Sequence, residues 1–93
     1  MTTEEQFYER YILQIIRNVV STDLKMNAST LQPETLLMDE LHLNRVELSY
    51  LYDLFELKVY VDFSDEERFR LQTVRDIAHN MLNRHTMMNL ENI

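Results

Sequence analysis

"DELHLNRVELSYLYDLFEL", Asp39 to Leu57, is the stretch on which the fold turns. Set at 100° per residue, Leu43, Val46, Tyr50, Leu54 and Leu57 form one stripe, and Leu48, Leu51 and Phe55 form a second beside it. Together they cover roughly 200° of a helix, well beyond the apolar stripe of an ordinary surface helix. The pattern predicts a central helix II over His42 to Leu57, packed against several neighbours. Arg45, Ser49, Tyr52, Asp53 and Glu56 fall on the remaining arc and are assigned to solvent.

Working outward, three more segments have helical spacing. In "TTEEQFYERYILQIIRNVV", Tyr8, Ile12, Ile15, Ile16 and Val19 share a face, and Glu4 and Glu5 suit the positive end of a helix dipole. Thr3 with Gln6 has capping-box spacing, which sets helix I at about residues 3–21. Ser64 with Glu67 has the same signature and opens a short helix III at about 65–71. Thr73 with Asp76 starts helix IV, carried by Val74, Ile77, Ala78, Met81 and Leu82. Between helices I and II lies a long loop rich in Ser, Thr, Asn and Asp around Pro33, with one helical turn expected at Glu34 to Met38. "KVYVDF" alternates like a strand, yet a lone strand has nothing to pair with. It is expected to be a connector whose Val59 and Val61 or Phe63 dip into the core. The tail, residues 86–93, is expected to fray from a single domain spanning residues 1–93, ordered over about 4–85.

Composition narrows the function classes. The chain has 93 residues, no glycine and no cysteine, and Pro33 is its one proline. Phosphate loops and dinucleotide fingerprints need glycine, so both are excluded; disulfides and thiol chemistry are excluded with cysteine. Sixteen acidic against nine basic residues give a net charge of −7, the wrong sign for a nucleic-acid binder and a suitable one for a basic protein surface. No segment has the length and apolarity of a membrane span or a secretory signal, so a cytoplasmic monomer is expected. His42, His79 and His85 share no ligand spacing, and no serine stands near a base in a hydrolase motif. Neither a metal site nor an enzyme is expected.

The order of elements, with "LNRVELSYLYDLFELKV", "SDEE" and "LQTVRDIAHNML" at their separations, resembles the acyl carrier protein family over about residues 4–83. The resemblance implies an all-α, four-helix bundle with a long loop between helices I and II and a short helix III. In that family a serine at the start of helix II, in an Asp-Ser-Leu pattern, accepts 4′-phosphopantetheine. Aligned without a gap on Leu43 and Val46, Leu41 stands at the aspartate, His42 at the serine and Asp39 at a preceding glycine. Tyr60 replaces a proline common after helix II.

An imidazole cannot replace the hydroxyl nucleophile, so no prosthetic arm and no cofactor is expected. Ser49 lies two turns along, roughly 10 Å at 1.5 Å per residue, and Thr35 and Ser29 belong to the loop. The resemblance therefore implies a carrier-like domain that binds a protein, such as a basic surface of a biosynthetic enzyme. Asp39, His42, Arg45, Glu47, Asp53 and Glu56 are the candidate contacts. The alternative is a working carrier in fatty-acid or polyketide-type synthesis that uses an unrecognised acceptor hydroxyl. Tyr50, Tyr52, Phe55, Tyr60 and Phe63 either line an acyl pocket or, as large side chains more often do, fill the core. Met87 and Met88 add adaptable apolar surface to the tail.

Overall fold

The computed structural model describes residues 3–91, with side chains as far as Arg84. Helix α1 runs Thr3–Asn18 and ends in a π turn at Val19–Asp23; α2 is Leu37–Leu41, α3 Arg45–Val59, α4 Asp65–Arg70 and α5 Val74–Glu91. No strand forms among the described residues; Leu36 and Thr73 make one isolated antiparallel bridge. The last turn of α1 widens where the Leu24 N–H donates to the Val19 carbonyl, five residues back, at 3.1 Å. The consecutive residues Val19 and Val20 are both fully buried there.

Helix α1 packs along α5, while its π turn meets α3, and α4 sits on α3. The core is built from Ile12 and Ile16 of α1, Leu48, Leu51, Tyr52 and Phe55 of α3, Phe63 of the connector, and Val74, Ile77 and Ala78 of α5. Phe63 enters it, and Val59 and Val61 pack partly buried against it, as the alternation in "KVYVDF" predicts. The long loop is tied down at both ends. Ala28 and Leu31 are buried, and the Arg17 guanidinium donates to the Leu31 carbonyl. The Arg75 N–H donates to the Pro33 carbonyl at 2.8 Å and the Leu37 N–H to the Gln72 carbonyl at 3.0 Å. Glu9, buried on α1, accepts from the Arg75 guanidinium at 2.8 Å.

Both capping boxes read in the second half of the chain form. Ser64 and Glu67 bond reciprocally at 3.2 and 3.0 Å, and Thr73 and Asp76 at 3.0 and 3.2 Å. Helix α5 stays helical to Glu91; Asn92 and Ile93, and the side chains of His85, Met87 and Met88, lie outside the described residues.

Three expectations for the central stretch are corrected. The short helix before it is Leu37–Leu41 rather than Glu34 to Met38. Helix α3 starts at Arg45, not His42. Its buried face is also narrower and rotated: Leu48, Leu51, Tyr52 and Phe55 are buried, whereas Val46, Tyr50 and Leu57 are exposed. Tyr52, assigned to solvent from the sequence, is 1% exposed. Leu48, Leu51 and Phe55 join the core with Ile16 of α1 and Ile77 of α5, and Tyr52 is covered from α4, whose Arg68 lies 5.6 Å from its ring centroid.

Candidate functional site

Two hydrogen-bond motifs, one closing α2 and one capping α3, fix the start of α3. Helix α2 ends in a Schellman motif: the Leu43 N–H donates to the Met38 carbonyl at 2.9 Å and the His42 N–H to the Asp39 carbonyl at 3.4 Å. That closure requires a left-handed residue, and His42 adopts φ 53°, ψ 42°. Leu43 turns into the core behind it. Asn44 then caps α3. Its side-chain oxygen accepts from the Glu47 N–H at 2.8 Å, and the Glu47 carboxylate accepts from the Asn44 N–H at 3.0 Å. His42 is thus an exposed helix-stop residue between α2 and α3, outside both helices.

Arg45 is the first residue of α3, and its guanidinium lies 4.9 Å from the centroid of the Phe69 ring on α4. Phe69 also lines a cleft of about 150 Å³, together with Leu36, Leu37, Asp39, Leu48 and Gln72. The hydroxyls weighed as acceptors stand elsewhere. Ser49 is half-buried within α3, Thr35 accepts from the Gln32 N–H at 2.8 Å, and Ser29 is exposed in the loop.

The acidic candidates on α3 are unequal. Arg68 of α4 donates to the Asp53 carboxylate at 2.9 Å, to the Glu56 carboxylate, and to the Ser49 carbonyl at 3.2 Å. Its guanidinium also sits 5.6 Å from the Tyr52 ring centroid. This clip neutralises Glu56, whose side chain is only 13% exposed, and takes one oxygen of Asp53, which stays 63% exposed. Glu56 is corrected from a free surface acid to a half-buried ion-pair partner. Glu47 is exposed but engaged in the capping box, and Asp39 is exposed on the cleft rim. Behind the clip, burial pushes the Tyr52 hydroxyl far above its ordinary range, and that hydroxyl donates to the Leu71 carbonyl at 3.3 Å.

A second clip holds α4 to α5. The Glu67 carboxylate accepts from Arg84, from the Ser64 N–H at 3.0 Å and from the Asn80 amide at 3.3 Å. Hydrogen bonding from Arg84 first, and then from the Ser64 N–H, lowers its pKa to about 2.

What the arrangement leaves open is apolar. Val46 is 79% exposed and Leu57 72%, with Tyr50 and Asp53 exposed between them and Tyr60 beyond the helix end. At 100° per residue Val46 and Leu57 point almost directly away from the buried face of Leu48, Leu51 and Phe55. The sequence signals this stripe clearly, but as core. Arg68 carries no such signal, being an ordinary charge in "DEERFR". Among the described residues no group of three potential ligands gathers for a metal ion, and no helix is long and apolar enough to cross a membrane. No family model, no curated protein and no solved structure matches this chain.

Proposed function

We propose that this chain is an acyl-carrier-like helical domain, with the short α2 added to the four helices expected, that has lost the attachment chemistry and acts as a protein-binding module through α3. The observation that carries the reading is the residue at the start of that helix. In the carrier family the acceptor serine occupies that place; here it is Arg45, which offers no hydroxyl and spreads over Phe69.

The local backbone favours a different register from the gapless alignment on Val46. With α3 starting at Arg45, Arg45 takes the serine's place, Asn44 the aspartate's and His42 that of the glycine two residues earlier. His42 has the left-handed backbone that glycine favours, and Asn44 is a short polar cap as aspartate is. The shift gives up the match of Val46-Glu47-Leu48 to Val-Glu-Leu and keeps those of "SDEE" and "LQTVRDIA". In either register the acceptor is missing, since neither imidazole nor guanidinium forms a stable phosphodiester.

The test is intact mass after incubation with a broad-specificity phosphopantetheinyl transferase and coenzyme A. An unchanged mass is expected. A gain of one phosphopantetheine would sink the reading and favour a working carrier with an unrecognised acceptor.

A further inference from the structure

Exposed residues of α3 and its C-cap, apolar but for Asp53, follow a spacing of their own. Val46, Tyr50, Asp53, Leu57 and Tyr60 are separated by four, three, four and three residues, the a/d pattern of a helix–helix seam. All five are exposed; Tyr60, the left-handed C-cap at φ 57°, stands just past the last helical turn. A seam with this period is complemented by another helix, whose own a and d side chains pack between these.

Charge decides the kind of helix. Glu47 flanks the seam, Asp53 stands at its centre, and the whole chain carries −7; Glu56, on the other flank, is already paired with Arg68. The nearby cations are Arg45, held over Phe69, Arg68, consumed by Asp53 and Glu56, and exposed Lys58. Asp53 gives only one oxygen to Arg68 and remains 63% exposed, so it retains acceptor capacity for a second cation. A second copy of this chain fits poorly, because an antiparallel pairing centred on the seam would set Asp53 against Asp53 inside a −7/−7 encounter.

We propose that α3 docks an amphipathic helix of another protein, with apolar residues at its a and d positions, Lys or Arg along its flanks, and one cation opposite Asp53. This deepens the protein-binding half of the proposed function. It stands apart from loading, because the face is the same whether or not an arm is attached.

The experiment is fluorescence anisotropy of the full chain with a labelled three-heptad peptide carrying Leu at a and d, Lys at e and g, and one Arg at the central seam position. A composition-matched scramble and a version with Glu for every cation serve as comparators. The basic heptad peptide should bind, the scramble should bind roughly tenfold more weakly or worse, and the acidic version should not bind. Val46→Glu and Leu57→Glu, at exposed positions and checked for helicity by circular dichroism, should each weaken binding by about tenfold or more. Asp53→Lys should shift preference toward the acidic peptide.

No binding, equal binding of the scramble, or indifference to both glutamate substitutions would overturn the proposal. So would a dimer of the chain alone in sedimentation equilibrium that Val46→Glu dissolves, since that assigns the face to a second copy. Because loading is read by mass and docking by anisotropy, either half can fail without the other.

Discussion

At the scale of single residues, the absence of glycine has a visible cost. Lys25, His42 and Tyr60 all have left-handed backbones, at φ 54°, 53° and 57°. A non-glycine residue there costs roughly 1–2 kcal/mol, against roughly 0.5–1 kcal/mol for the extra freedom glycine loses on folding. His42→Gly should therefore raise stability, by about 0.5–1 kcal/mol in urea denaturation, while His42→Val should lower it. If His42→Gly destabilises, the Schellman closure of α2 is not formed as described. Tyr52 offers the opposite case: a hydroxyl in the core that donates to the Leu71 carbonyl. Tyr52→Phe should cost about 1 kcal/mol or somewhat more, because that carbonyl then loses its donor. Neither feature was legible beforehand. Nothing in "ELHLN" marks a left-handed stop without a glycine, and on the helical wheel Tyr52 falls on the polar arc with Arg45, Ser49, Asp53 and Glu56.

At the scale of elements, the caps were the readable part. Ser64 with Glu67 and Thr73 with Asp76 placed α4 and α5 to within a residue, because a cap and its return bond are local. Asn44 with Glu47 has the same spacing, and giving it priority over the apolar stripe would have started α3 correctly. The clips between elements were not readable, since they join residues brought together only by the fold. Arg68 links α4 to α3, and replacing it by Met should leave Glu56 half-buried without a counter-charge. The expected loss is about 1–3 kcal/mol, reduced from the figure for a fully buried pair because Asp53 is largely exposed. A double-mutant cycle with Glu56→Gln should recover part of it.

Glu67 gives the pH dependence. Its folded pKa of about 2 lies below the ordinary carboxylate value of 4.5, so its contribution is complete above about pH 4.5. It is lost as pH falls from there through about 2, as Glu67 protonates and releases Arg84. The acid limb of a stability profile should flatten over that window in Glu67→Gln; an unchanged limb would show that the α4–α5 clip contributes nothing in solution.

At the scale of the whole molecule, composition and period foretold a helical domain, and the chain is helical with no strand among its described residues. What periodicity could not tell was which of two adjacent apolar stripes on α3 would be covered. Both are regular; Leu48, Leu51 and Phe55 join the core with residues of α1 and α5, while α4 docks through Arg68 on the Tyr52 side. The consequence is a domain with a closed core and one helix that keeps an apolar seam in water and begins with Arg45, which offers no hydroxyl. The most direct measurement of that account is intact mass, after phosphopantetheinyl transferase and coenzyme A, of three proteins side by side: the native chain, His42→Ser, and Asn44→Asp with Arg45→Ser. The account predicts no gain for the native chain or for His42→Ser, and a gain of one phosphopantetheine for the double variant at the start of α3. A gain by the native chain, or by His42→Ser and not by the double variant, would contradict it.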